Sequence, residues 1–171
     1  MTPQEFKIQV FPLKNKLYRF SKRLLDDPEE AKDIVQEVFI KLWKKGDGLK
    51  EYRSIEALAM VTTRNLCLDR LKAKKYPSES IDKLRDEVEV TGYAEKQDLS
   101  DVVQKIHLII KTLPELQQSV IQLRDIEGYD FDEISGILDM NENAVRVNLS
   151  RARKKIRDIL VNNKLYEYQR N

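Results

Sequence analysis

The chain has 171 residues, which is enough for one medium-sized domain or two small ones. Its 31 lysine and arginine residues nearly balance 29 aspartate and glutamate residues, so that the whole chain is not a polycation. The single cysteine, Cys67, excludes an internal disulfide, and the single histidine, His107, excludes a histidine-rich metal site.

The N-terminal segment predicts a helix within residues 3–25. Five glycines and five prolines in the whole chain argue against a hairpin-rich β fold and favour helices throughout. Pro12 is expected to kink or split this first helix, because proline removes a backbone donor. The predicted core face repeats at helical spacing through Phe6, Val10, Leu13, Leu17, Phe20 and Leu24.

Residues 27–45 give the clearest helical pattern. Asp27 is a suitable N-cap, Pro28 suits the first helical position and Glu30 falls where a capping box places its acid. The predicted core stripe contains Ala31, Ile34, Val35, Val38, Phe39, Leu42 and Trp43. The opposite face contains Asp33, Gln36, Glu37, Ile40 and Lys44. An isoleucine ringed by polar residues is either an ordinary exposed side chain or the anchor of a small docking site.

The loop 46–54 combines Lys50, Tyr52 and Arg53. An aromatic ring beside two cations is a common way to hold single-stranded nucleic acid, although three residues are a weak signal. Ser54 then caps a helix to about Lys74, with a predicted core face of Ile55, Leu58, Thr62, Leu66 and Leu68. Its basic second half also fits simple stabilisation of a helix C-terminus.

Residues 76–104 read as an acidic, flexible linker, with one short helix around Ile81 to Val88. The segment 76–110 carries a net charge of −4, whereas 1–75 carries +6. We therefore expect an all-α protein of two small helical domains, 1–75 and 105–171, joined by this linker.

The second domain shows the pattern of a helix-turn-helix. A helix over 101–112 precedes one that Pro114 opens and Gly128 closes, with Leu116, Val120 and Leu123 as its core. Asp130 and Glu133 form a capping box before FDEISGIL, and DMN separates this short helix from a longer basic one. Residues 124–139 carry a net charge of −5 and residues 141–157 carry +5. These features together favour DNA binding over a merely solvated basic helix.

The outward face of the long helix supplies the candidate DNA contacts. Arg146 and Arg151 suit guanine edges, Asn143 or Asn148 suits adenine, and Val147 suits a thymine methyl. Ser150 shares this face, and the phosphate candidates lie further along: Arg153, Lys154, Lys155 and Arg157.

Three blocks together resemble a known family. DIVQEVFIKLW, TRNLCLDRLK and LPELQQSVIQLRDIEGYDFDEISGILDMNENAVRVNLSRARKKI are similar, in order and spacing, to bacterial RNA polymerase sigma factors of the extracytoplasmic-function type. The resemblance covers nearly the whole chain. It implies sigma region 2 at 1–75, region 4 at 105–171, and recognition of minus-ten and minus-thirty-five promoter elements with melting of the DNA. The implied partners are core RNA polymerase, promoter DNA and, in many relatives, an anti-sigma factor that wraps both domains.

The resemblance also implies residue roles. Asp33, Gln36, Glu37 and Ile40 match the helix that docks on the clamp coiled coil of the largest polymerase subunit. Loop 46–54 matches the loop that captures a flipped minus-ten base, and the next helix contacts the melting strand through Arg64, Asn65, Asp69 and Arg70. Arg146, Val147, Asn148, Ser150 and Arg151 match the minus-thirty-five recognition helix. One departure is Leu58, near which many relatives have tryptophan.

A stand-alone helix-turn-helix regulator is the main alternative, and it predicts tight DNA binding without polymerase. An enzyme is more remote, since Cys67 and His107 are the only candidate reactive pair and the chain lacks a glycine-rich phosphate loop or metal-ligand spacing. The sequence therefore predicts no catalytic, cofactor or metal site and no small-molecule substrate. With no signal peptide pattern or long apolar run, we expect a cytoplasmic protein.

Overall fold

A computed structural model describes residues 1–75 and 99–169. The described residues form helices and no strand, as the sequence predicted. The eight α-helices are α1 (Pro3–Gln9), α2 (Lys14–Leu25), α3 (Pro28–Lys45), α4 (Ile55–Lys75), α5 (Leu99–Lys111), α6 (Glu115–Ile121), α7 (Phe131–Leu138) and α8 (Glu142–Gln169). The short helix predicted around Ile81 to Val88 lies outside the described residues, and α5 already begins within the predicted linker.

Helices α1 to α4 form the first unit. A 3-10 turn at Phe11–Leu13 contains Pro12 and separates α1 from α2, so that Pro12 splits the first helix as predicted. Asp27 caps α3 because its carboxylate accepts hydrogen bonds from the N–H groups of Glu29 and Glu30 at 2.9 and 3.1 Å. Helix α2 packs against both α3 and α4, and the core between them is apolar. The largest enclosed side chains there are Leu17, Phe20, Ile34, Leu42, Leu49 and Met60.

The predicted core faces of α4 and α6 differ from the structure. The buried face of α4 consists of Ala59, Met60, Thr63, Leu66 and Cys67, whereas Ile55, Leu58 and Thr62 are only half-buried. Helix α4 packs against three helices, α2, α3 and α7. Its buried residues therefore do not follow the single apolar face that the prediction from sequence assumes. Leu116 was also predicted to be core but is exposed, because α6 buries Ser119, Val120 and Ile121 instead.

Helices α5 to α8 form the second unit, in which α7 and α8 are the helix-turn-helix. Helix α6 runs into a π-helical turn at Gln122–Ile126, and Gly128 follows with a φ of +80° that glycine adopts without strain. The predicted capping box of α7 is present, and in it the N–H of Asp130 donates to the Glu133 carboxylate at 2.8 Å. Asp139 ends α7 in a left-handed conformation, and the Asn141 side chain caps α8 by accepting from the Ala144 N–H at 2.8 Å. Local hydrogen bonds therefore build the predicted three-residue turn.

Candidate nucleic-acid interface

Helix α8 presents a polar face on the side opposite its buried residues. Val145, Leu149 and Ala152 point into the second unit. Most of the predicted DNA contacts are exposed: Asn143, Arg146, Val147, Ser150, Arg151, Arg153, Lys154 and Lys155. A helix held by its core face with basic, hydroxyl and amide side chains outward has the chemistry needed to read base edges and hold phosphates.

Three of these predicted contacts have partners inside the protein. The Arg146 guanidinium lies 3.9 Å from the centre of the Phe131 ring and pairs with Glu142. The Asn148 amide is half-buried and donates to the Ala144 carbonyl at 2.9 Å. The Arg153 guanidinium makes two hydrogen bonds to Asp125, and this carboxylate raises the pKa of Arg153. Arg153 therefore ties α8 to the preceding π-helical turn, which competes with a phosphate contact.

The loop 46–54 is a second exposed surface with aromatic and basic side chains. Its anchor is Leu49, which is fully buried, so that the following residues are held outward. Tyr52 is 41% exposed, and its hydroxyl accepts a hydrogen bond from Lys45 at 2.8 Å. Arg53 is exposed beside it, and Lys50 lies 3.3 Å from Asp47. The structure thus combines one ring with nearby cations, as stacking on a base requires.

The α4 residues that are predicted to contact the separated DNA strand differ in exposure and in position along the helix. Arg64 is half-buried and Asn65 and Asp69 are exposed on adjacent turns. Arg70 lies closer to α3, since its guanidinium is 3.6 Å from the Glu37 carboxylate. The ion pair joins a residue predicted to bind DNA to one predicted to bind polymerase, so the two surfaces are contiguous at this point.

The polar face of α3 contains an exposed apolar centre. Ile40 is 53% exposed, Asp33 and Gln36 are exposed around it, and Glu37 pairs with Lys41 at 3.5 Å. Trp43, predicted to be core, is also exposed and touches Phe6 edge-on with 5.2 Å between ring centres. The predicted stripe contains seven apolar residues, which is more than one buried helix face needs. This excess was the signal in the sequence that a member of the stripe, here Trp43, is exposed.

Sequence reasoning also missed an apolar groove of about 490 Å³ in the second unit. It lies between α5, the π-helical turn and α8, and its apolar walls include Val103, Ile106, Ile121, Ile126, Ile156 and Leu160. No motif or spacing in the sequence indicates this groove, because it forms only where separate helical segments meet.

The two candidate reactive side chains have different surroundings. Cys67 is buried in the first unit, and burial raises the pKa of its thiol to about 11. His107 is half-buried; burial, followed by the charges of Arg23 and Lys111, lowers the pKa of its ring. Among the described residues, no cluster of three or more histidine, cysteine or acidic side chains is arranged to hold a metal. None of the described helices is long and apolar enough to cross a membrane.

Two family models match the chain in succession. The model of sigma-70 region 2 matches residues 12–76, and that of sigma-70 region 4 matches residues 103–156. The chain belongs to the sigma-70 family. The first match covers α2 to α4. The second covers most of α5, all of α6 and α7 and the first half of α8, so that each sigma region corresponds to one helical unit.

Curated relatives agree with this assignment. The chain is 27% identical over 159 residues to the RNA polymerase sigma-E factor of Streptomyces avermitilis, an alignment that covers 91% of this chain and 85% of that protein. It is 29% identical over 139 residues to the ECF RNA polymerase sigma-E factor of Escherichia coli K12, covering 74% and 72%. These matches confirm the resemblance to the extracytoplasmic-function type.

Two solved structures share the fold. The sigma factor RpoE of Bartonella quintana, in complex with the anti-sigma factor NepR, superposes with a TM-score of 0.69 at 20% identity, covering 92% of this chain and 97% of that one. CnrH in complex with the cytosolic domain of CnrY gives 0.66 at 18% identity, covering 93% and 89%. The two-region helical fold is therefore shared at low sequence identity.

As a sigma factor, the protein is a promoter-specificity subunit: it associates with core RNA polymerase and directs initiation at promoter DNA. Its family consists of non-catalytic transcription initiation factors. The stand-alone regulator is not favoured, because the match extends over both regions and not only over the helix-turn-helix.

Proposed function

We propose that three exposed surfaces of this sigma factor divide the work of initiation. The α3 face around Ile40 docks on the polymerase clamp, through Asp33, Gln36 and Glu37 at its rim. The loop 46–54 and α4 bind the minus-ten element, and the outward face of α8 binds the minus-thirty-five element. The observation that carries this proposal is the exposed Ile40 among polar side chains, because such a residue gains most by being covered by a partner.

For the minus-ten element, we propose that Tyr52 stacks on an unpaired base while Lys50 and Arg53 hold the backbone. Arg64, Asn65, Asp69 and Arg70 then follow the separated strand along α4. Taking a base out of the duplex costs a few kcal/mol, and a stacking surface offsets part of that cost. The exposed ring of Tyr52 supports this role.

For the minus-thirty-five element, we propose that Arg151, Ser150 and Val147 read base edges, together with Asn143, Arg146 and Asn148. Lys154 and Lys155 hold phosphates, and Arg153 contributes mainly by fixing α8. The exposure of Arg151 and the Arg153–Asp125 ion pair support this division.

We further propose that an anti-sigma factor regulates the protein and that it acts in the cytoplasm, where it meets polymerase. One of the two solved structures is a sigma factor bound to an anti-sigma factor, and the other is CnrH bound to the cytosolic domain of CnrY. Support from this chain comes from the apolar groove of the second unit and the exposed apolar side chains of α3, which are surfaces that a regulator could cover.

The test is transcription by reconstituted holoenzyme on templates in which one promoter element at a time is replaced. Tyr52→Ala should make initiation insensitive to minus-ten substitutions while it remains sensitive to minus-thirty-five substitutions. Arg151→Ala should show the reverse pattern, so that each variant is the control for the other. If both variants lose sensitivity to the same element, or neither does, the assignment of surfaces is wrong.

A further inference from the structure

A pocket of about 380 Å³ lies where α2 of the first sigma region faces α5 and the π-helical turn of the second. Its lining consists of four cations, one histidine and three other side chains: Arg19, Lys22, Arg23, Lys111, His107, Asp26, Gln122 and Ile126. Small-molecule sites in proteins have volumes of about 300–1,000 Å³. The pocket is therefore large enough for a small ligand, and its lining favours an anion.

Two of the four cations are already paired with carboxylates. The Arg19 guanidinium donates two hydrogen bonds to the Glu127 carboxylate, at 2.8 and 2.7 Å, and the Lys111 ammonium lies 2.7 Å from the Asp26 carboxylate. Each of these pairs joins one sigma region to the other. No carboxylate among the described residues pairs with the other two cations, so that the pocket keeps an excess of positive charge.

Arg23 is the cation with the most unusual surroundings. Its side chain is half-buried, and its guanidinium donates to the neutral ring of His107 at 2.8 Å instead of to a carboxylate. Its buried Nε has no hydrogen-bond partner among the described residues, and burial lowers the pKa of Arg23. Because arginine stays charged, a guanidinium that is removed from water without an anion costs free energy. A bound anion would supply the missing partner.

Gln122 adds a second unsatisfied group to the pocket lining. It is 2% exposed, and its amide nitrogen donates to Glu127 at 3.1 Å. Its amide oxygen is buried and accepts no hydrogen bond from the described residues. This oxygen needs a donor, which a bare oxyanion such as sulfate cannot provide. A ligand that carries both anionic oxygens and a hydroxyl group satisfies the guanidinium and the amide together.

We propose that this pocket binds a small phosphorylated metabolite, with its phosphate held by Arg23 and Lys22 and a hydroxyl group donated to Gln122. The inference goes beyond the proposed function, because it requires neither polymerase nor DNA. Hydrogen phosphate and a hydroxylated phosphate ester share the required chemistry. Because the site combines α2 with α5 and the π-helical turn, the ligand bridges the two sigma regions.

His107 provides a direct reporter, since it is the single histidine of the chain. Its ring signals are followed by NMR in the full chain, at constant ionic strength, with inorganic phosphate, ribose 5-phosphate or sulfate. Bound phosphate should raise the pKa of the ring, because a nearby anion stabilises the imidazolium. The other charged groups that line the two cavities at this ring are the same with and without ligand: Arg19, Lys22, Arg23, Asp26, Lys111, Asp125, Arg153 and Arg157.

The three ligands separate the chemical sources. At least one phosphate ligand should saturate the shift of the ring signals, and sulfate should bind about tenfold more weakly because it leaves the Gln122 oxygen without a donor. Tighter binding of ribose 5-phosphate identifies an ester as the ligand, whereas tighter binding of inorganic phosphate identifies the free anion. Either result supports a phosphate site.

Variants of α2 test the residues that hold the phosphate. Lys22→Gln should weaken binding about fivefold, because it removes one charge at the solvent side of the pocket. Lys14→Gln is the matched control, since Lys14 is also exposed on α2 and does not line the pocket. Arg23→Gln should weaken binding at least tenfold. Circular dichroism checks folding, and the exposed Lys22 keeps the test valid if the half-buried Arg23 cannot be replaced.

The proposal is overturned if no phosphate ligand shifts the His107 signals, or if sulfate binds as tightly as both phosphate ligands. Equal affinities of Lys22→Gln and Lys14→Gln overturn it as well. If a single-stranded DNA oligonucleotide displaces the phosphate ligands at a lower concentration than theirs, the pocket is a DNA contact and the proposal is wrong. These measurements use the free chain, so that their failure is distinguishable from failure of the transcription test of the proposed function.

Discussion

Replacing Ile40 with aspartate should abolish binding to core polymerase while leaving the fold intact. Ile40 is 53% exposed in the free protein, so that about half of its apolar surface remains to be covered by a partner. Full burial of such a side chain is worth about 1.5–3 kcal/mol, and the exposed half therefore contributes about 1–1.5 kcal/mol. Burying an unpaired carboxylate beside Asp33 and Glu37 adds a penalty of roughly 2 kcal/mol or more. The sum of about 3 kcal/mol corresponds to at least a hundredfold loss of affinity.

The assay is equilibrium binding of labelled sigma factor to core polymerase, with circular dichroism as the check on folding. Ile8→Asp is the matched control, because Ile8 is an isoleucine that is 68% exposed on α1 and is not one of the predicted docking residues of α3. Ile8→Asp should bind polymerase with nearly wild-type affinity, and both variants should keep their helicity. Affinities of Ile40→Asp and Ile8→Asp within threefold of each other would refute the docking assignment.

Three further predictions address DNA recognition and the contact between the two sigma regions. Arg151→Ala should weaken binding of holoenzyme to the minus-thirty-five element by about 1–3 kcal/mol, measured by competition with an altered element. Arg153→Ala should instead lower the thermal midpoint of unfolding, because Asp125 loses its partner, with little change in the preference for the altered element; equal loss of preference in both variants would contradict this split. Acidification below the ordinary histidine pKa of about 6.5 should weaken the contact between the two regions at His107, whose ring hydrogen-bonds to Arg23 of α2 at 2.8 Å. The pKa of His107 is lowered where the two regions touch, so that the separated regions bind the proton more tightly and the contact weakens as the pH falls. The protonated ring would also face four nearby cations, namely Arg19, Lys22, Arg23 and Lys111. Asp26 is the nearby acid. Scattering between pH 8 and 5.5 should show expansion in the wild type and less in His107→Gln, and identical profiles would contradict the prediction.

Local patterns were enough to predict the helix-turn-helix and the exposed isoleucine. Asp130 and Glu133 set the start of α7, and the DMN turn is fixed by hydrogen bonds among near neighbours. Ile40 could be found because one apolar residue interrupts a polar face on a helix with clear periodicity. In each case the physical cause lies within a few residues of the effect.

The contacts between the sigma regions could not be predicted in this way. Arg19 and Glu127 are 108 positions apart, and each is an ordinary charged residue on a helix or turn when the sequence is read alone. The Arg153–Asp125 ion pair could not be predicted for the same reason, since nothing nearby in the sequence indicates Asp125 as a partner of Arg153. The buried face of α4 was misplaced because its three packing partners are defined only by the tertiary fold.

The most direct test of the central claim is run-off transcription with purified core polymerase, with and without this protein, across a library of genomic promoters. We predict that the reconstituted holoenzyme starts at a defined set of sites with shared sequences about ten and thirty-five positions upstream, where core polymerase alone does not start. If the protein does not assemble with core polymerase, or if start sites are the same in its absence, the protein does not confer promoter specificity and the account is wrong.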